Sequence, residues 1–211
     1  FEDLRRIVQP QAEWDYHLPK ACHKISVEDE LVFAELLLMQ GIATLIPEDQ
    51  VPRGVDGRLI LGGWFAVPHK ADRQRLIFDR RPQNSTEIGL PWIALPSGHL
   101  FCKLIVDQKS TVRGSGDDLT CWFYCLGHNE NWFHRQAVGR RLKGENFKQY
   151  GGAPGTNYRL ALRCVAMGDK NGVSFAQVGH EGILKAGDCL LDNELLQLGR
   201  KFPTSRSQCF E

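Results

Sequence analysis

A chain of 211 residues is long enough for one sizeable domain or two small ones. Its 42% hydrophobic and 24% charged residues are ordinary for a globular protein. A formal net charge of +1 excludes a polycationic protein held on nucleic acid by overall charge alone.

No apolar run reaches the roughly 18–20 residues of a membrane helix, so no membrane association is expected. Seven cysteines without a CxxC pair do not describe a disulfide framework. With no signal peptide visible, an intracellular location, cytoplasm or nucleus, is the expectation.

Residues 1–25 carry no clear period and read as a partly ordered arm. Ser26 and Asp29 form a capping pair, and EDELVFAELLLMQ at 28–40 reads as a helix closed by Gly41. Pro47, Pro52, Gly54 and Gly57 mark a loop. RLILGGWFAVP at 58–68 reads as a strand with a glycine kink, and RLIFD at 75–79 as a second. The turn between them, HKADRQ, makes a hairpin with cations at its tip. A Pro, Ser and Gly loop fills 82–97, and 99–109 has helical spacing.

A glycine-rich turn at 113–117 precedes DLTCWFYCL, read as a strand over 118–126. Residues 139–157 are polar, basic and glycine-rich, and YRLALRCVAM at 158–167 alternates as a strand. Helices are predicted from Asn171 to about Lys185 and from Cys189 to Leu198, followed by an unstructured tail at 201–211. The expected organisation is an arm and helix over 1–57, a hairpin and helix over 58–113, and a third region over 114–200 with a basic insertion at about 138–157.

Charge is local rather than global. Residues 69–81 hold Lys70, Arg73, Arg75, Arg80 and Arg81 against Asp72 and Asp79, and residues 134–148 hold Arg135, Arg140, Arg141, Lys143 and Lys148 against Glu145. Such clusters can form a phosphate-binding footprint.

Three blocks stand in order. RLIFDRRPQN at 75–84 places Asp79, Arg81 and Asn84 at fixed offsets from Arg75. DLTCWFY at 118–124 places Phe123 five residues after Asp118, and VAMGDKNGVSFAQ at 165–177 follows. Together, over roughly residues 60–190, they resemble a retroelement reverse transcriptase, an RNA-directed DNA polymerase. The resemblance implies an α+β fold, with a fingers hairpin and an incomplete antiparallel palm sheet packed on helices.

It implies that Arg75 and Lys70 face a deoxynucleoside triphosphate, since guanidinium matches phosphate with paired donors. Asp118 would be the catalytic carboxylate and, with the Leu119 carbonyl, a ligand of Mg²⁺, two ions acting in the parent enzyme. Phe123 would exclude a 2′-hydroxyl by clash. Gly168 would let backbone approach the nascent base pair, and Asp79 and Arg81 would buttress the hairpin as a salt bridge. Where the family usually has Val-Pro-Lys-Lys this chain reads Val67-Pro68-His69-Lys70, and the glutamine usual before the glycine is replaced by Met167.

The partner would be an RNA or DNA template–primer. The family's aromatic-x-Asp-Asp turn is not found, so the chain reads as a fragment, inactive by itself. Two alternatives are a non-catalytic nucleic-acid-binding module and a zinc-stabilised interaction domain. Cys121, Cys125, His128 and His134, or His17, Cys22 and His23, would serve the latter. On a strand Cys121 and Cys125 would lie about 13 Å apart, too far for one metal, so free thiols are expected.

Overall fold

The structure is a computed structural model, which describes residues 4–90, 95, 98–103, 108–109, 111, 114, 116 and 118–195. The chain divides into two compact units, Phe1–Gly89 with Phe123–Gly172, and Leu90–Trp122 with Val173–Glu211. The described residues combine helices with antiparallel sheet, an α+β arrangement.

In the first unit the arm is tied down at residues 7–9. Ile7 is buried, Val8 bridges Glu87, and the Ile88 and Gln9 amides donate to the Ile7 and Thr86 carbonyls at 2.9 Å. Helix α1 runs Val27–Met39, and the Ser26 hydroxyl accepts from the Asp29 amide at 3.0 Å. This N-cap satisfies one of the donors that every helix start leaves free. Gly41 follows with a left-handed φ of 68°, as a helix stop requires.

Strand β1, Ala43–Pro47, then leads into the loop before the hairpin. The hairpin itself is β2, Gly63–Lys70, paired antiparallel with β3, Arg73–Asp79, in register from Gly63 opposite Asp79 to Val67 opposite Arg75. A four-residue helix α2, Arg81–Asn84, ends it. The expected second strand therefore starts two residues earlier, and the first only at Gly63. The Leu59–Gly62 stretch instead makes isolated bridges, Arg53 with Leu59 and Gly62 with Val138.

The reading of 118–126 as a strand is corrected. Residues 120–121 turn, Cys121 adopts a left-handed φ of 56°, and Trp122–Cys125 form one turn of helix, α3. An extended run cannot pass through that backbone. The aromatic run only looks β-forming, and tertiary context decides.

Strand β4, Ala137–Lys143, lies largely within the region expected to be a basic insertion. Strand β5, Asn157–Leu162, is only the first half of the strand expected over 158–167, since beyond it Cys164 makes an isolated bridge with Gly127 and residues 167–168 turn. The sheet order is β1-β5-β4, all antiparallel, with β5 central. Its inner face joins α1 and the hairpin base in one core of Ala34, Leu38, Trp64, Phe78, Val138, Leu142, Leu160 and Leu162. The Trp64 and Phe78 rings lie 4.9 Å apart.

Helix α4, Gly172–Ala186, matches the expected helix and belongs to the second unit from Val173 onward. Residues 189–195 are not helical, which corrects the helix placed at 189–198 for its described part. Asp188 has φ 53°, a left-handed step that stops the chain from resuming a helix. Of the helix at 99–109, Gly98–Lys103 is a 3-10 helix and 108–109 a turn, while 104–107 lie outside the described residues, as does the tail at 201–211. No described helix is long and apolar enough to cross a membrane.

Candidate functional site

The hairpin is buried at its base and exposed at its tip. Burial falls along β2 from Gly63 and Trp64 to His69 and Lys70, and rises along β3 from Arg73 to Phe78. Alternation sends Trp64, Leu76 and Phe78 to one face. Cross-strand partners share a face, so Arg75, Ile77 and Asp79 lie on the other, with Val67 and Phe65. Arg75 is exposed, its Nη2 3.5 Å from His69 Nε2, and Lys70 pairs opposite Arg73. The nearest ion pair, Arg73 with Asp72 at 4.0 Å, is on the surface and holds little energy.

At the base of that face sits Asp79. Its carboxylate accepts from Arg81 Nε at 2.9 Å, Arg81 Nη2 at 2.7 Å and the Cys22 amide at 2.6 Å. Burial alone would raise its pKa, but the Arg81 guanidinium and the two backbone amides outweigh it, holding the carboxyl below its ordinary value. The buttressing salt bridge inferred from sequence is present.

Arg80 behaves differently from its neighbours. It is wholly buried, donating to Glu87 Oε1 at 2.9 Å and to the Asp169 carboxylate. Burial holds the Glu87 carboxyl above its ordinary value, and Arg80 offsets only part of that rise. Arg135 closes the group, 3.9 Å from Glu87 and donating to Thr86 Oγ1. Asn84 reaches the same segment: its Nδ2 donates to the Gly168 carbonyl at 2.7 Å, and the Lys170 amide donates to its Oδ1 at 3.1 Å. Blocks 75–84 and 165–177, some eighty residues apart in sequence, are thus riveted together.

Gly168 has a functionless reason to be glycine. Its φ is 107°, and a Cβ there would lie 2.6 Å from the Phe78 carbonyl. The turn packs directly beneath β3, and only glycine permits that.

The two basic clusters are smaller than they look in sequence. Arg80 and Arg81 are committed to carboxylates, leaving Lys70, Arg73 and Arg75 at the tip. In the second cluster Arg135 is buried, Arg140 pairs with Glu30, and Arg141 grips Glu48 with two bonds at 2.7 and 2.9 Å. Glu48 is held below its ordinary pKa chiefly by the Arg141 hydrogen bonds, with Arg159 adding to them against burial. The partners come from residues 30–87, remote in sequence, which composition over a window cannot reveal.

Asp118 and Leu119 belong to the second unit; Lys70, Arg75, Phe123 and Gly168 belong to the first. Phe123 is half-buried on α3, its ring 3.3 Å from where a Gly172 Cβ would stand. Magnesium sites of this chemistry depend on several carboxylates and phosphates, and Asp118 with the Leu119 carbonyl offers one carboxylate. Among the described residues no group of three or more His, Cys, Asp and Glu is placed to hold a metal ion. The donors described do not by themselves fit a magnesium pair.

Of the residues that would serve zinc, His23 and His128 have other partners. His23 Nδ1 accepts from the Trp64 amide at 3.2 Å, and its Nε2 faces Glu30 at 3.1 Å. His128 Nε2 accepts from the Gln136 side-chain Nε2 at 3.1 Å, and burial depresses its pKa to about 4. Cys22, Cys121, Cys125 and Cys164 are free thiols. Gln177 is buried and donates to Glu181 at 2.6 Å. Arg80, Glu87 and Asp169 were missed in sequence, where a buried charge carries no signal distinct from a solvated one. No family model matches the chain, and no curated protein matches it.

Proposed function

We propose that this chain is the fingers and first part of the palm of a retroelement RNA-directed DNA polymerase. The observation that carries the reading is the hairpin: an exposed tip of Lys70, Arg73 and Arg75, stiffened at its base by the Asp79–Arg81 pair. Its α2 end is tied to the Gly168 turn through Asn84. In the resemblance these are the parts that meet a triphosphate and the nascent base pair. Arg75 and Lys70 would contact the triphosphate, Phe123 would discriminate against a 2′-hydroxyl, and a template–primer would supply the duplex. Asp118 and the Leu119 carbonyl would hold Mg²⁺ only alongside further carboxylates and the nucleotide's own phosphates. The metal would supply stabilisation of the attacking and leaving oxygens in in-line displacement.

A non-catalytic nucleic-acid-binding module is the second reading, favoured by the same exposed tip, which needs no metal to attract phosphate. Template–primer affinity with and without the complementary dNTP separates the two. A polymerase active site binds the duplex more tightly when the matched dNTP is added, less so with the ribonucleotide, and Arg75→Ala removes the dNTP effect. Equal affinity with matched, mismatched and no nucleotide would leave only the binding module.

A further inference from the structure

Helix α1 is apolar on two opposite sides. Its inner row is buried, Ala34 and Leu38 against the core and Glu30 paired with Arg140. Its outer row, Val32, Leu36 and Met39, is 62%, 48% and 60% exposed. At about 100° per residue these three fall within a stripe roughly 60° wide, on the far side from the buried row. The spacing i, i+4, i+7 is that of a seam which another helix covers. A helix facing water with such a row forgoes apolar burial, and a contiguous exposed apolar strip marks an interaction surface.

The rim of the stripe says what covers it. Glu28 and Glu35 flank one side and Asp29 the other, and α1 contains no Lys or Arg. Among the described residues none of these three carboxylates is in an ion pair; Asp29 turns to the Ser26 hydroxyl and Glu35 accepts only from Gln149 at 3.2 Å. A second copy of α1 would bring acidic rim against acidic rim, and like charges across an interface are unfavourable. We propose that the Val32–Leu36–Met39 face of α1 docks an amphipathic helix of a partner protein whose flanks are basic. The helix-in-groove mode of recognition uses the same three-anchor spacing, with charge on the rim setting orientation and partner choice.

The experiment is fluorescence anisotropy of a labelled helical peptide built of leucine on one face and lysine on the other, titrated with the full chain. Peptides of the same pattern with glutamate in place of lysine, and of scrambled order, are run beside it. The leucine–lysine peptide is expected to bind at least about tenfold more tightly than either control, a difference of about 1.4 kcal/mol. Leu36→Asp should weaken it at least about tenfold although the variant is more acidic; undirected charge attraction would instead tighten it. Glu28→Lys with Glu35→Lys should transfer preference to the leucine–glutamate peptide. Because all three anchors face solvent, the variants keep the wild-type melt, and Val32→Ser with Met39→Ser repeats the test should Leu36→Asp not fold. No binding of the basic peptide, or equal binding of the scrambled one, overturns the proposal. So does a reversible dimer in sedimentation that Leu36→Asp dissolves, since a second copy would then own the face.

Discussion

Arg80, Arg81 and Arg75 lie within seven residues, yet one is fully buried, one is paired at the surface and one is exposed. Buried guanidinium survives only where carboxylates surround it, and Glu87 and Asp169 do so. Replacing Arg80 by Met would strand two carboxylates in a dry site. The expected loss is about 3–5 kcal/mol in urea unfolding, with part recovered when Glu87→Gln is added; a loss below about 1 kcal/mol would show that water reaches the cluster. His128 offers a pH signature. Its unfolded pKa is near 6.5 and its folded one about 4, so below 6.5 the unfolded chain takes up a proton that the native state refuses. Stability should therefore fall as pH drops from 6.5 towards 4, by roughly 1–3 kcal/mol in all. Set against His128→Gln, which cannot titrate, the wild type should diverge across that window, and parallel curves would sink the idea. Which arginine is buried was not legible in sequence, because a charge looks the same with or without a distant partner. The Asp79–Arg81 pair was legible, since both partners sit on one short stretch.

At the scale of elements, legibility followed local strength. Helix α1 announced itself through the Ser26–Asp29 cap, the hairpin through two apolar runs around a polar turn, and β5 through alternation. Strand β1 is five residues closed by proline, too short for a period. In β4 the register shifts between Val138 and Leu142 around Gly139, whose φ is 77°, so the pattern breaks where alternation would have shown. Removing the α1 cap by Ser26→Ala should lower stability by about 1 kcal/mol, read from the urea midpoint; no change would mean that the acidic first turn suffices alone. The hairpin carries the functional test. If Lys70 and Arg75 each contact a phosphate, as proposed, the slope of log K against log salt should flatten by about 1.4–1.8 in the Lys70→Ala, Arg75→Ala double variant. Binding to a primer–template that is equally salt-dependent in both proteins would remove the tip from the interface.

Over the whole molecule the apolar burial is unevenly shared. The first unit holds the core of α1, the hairpin base and the three-stranded sheet, closed by the Trp64–Phe78 ring contact. Among the described residues of the second unit the buried hydrophobics are Leu100, Ala176 and Leu190. Val173, Val178 and Ile183 on α4 are exposed instead. Opening free energy follows local burial, so the two units should open at different costs. Native-state hydrogen exchange can read this directly, comparing amides of the central strand β5 with those of the interior of α4. The β5 amides are bonded on both sides, to β1 and β4, and open only when the sheet comes apart. They are expected to exchange through global unfolding, tracking the urea-determined stability, while α4 amides exchange at least about tenfold faster, a gap of about 1.4 kcal/mol or more. If β5 and α4 share one opening free energy, the chain unfolds as a single cooperative body and the division into two units has no energetic meaning. If α4 alone slows when a template–primer and matched dNTP are added, the second unit takes part in binding, which the proposed assignment of Asp118 to a palm requires.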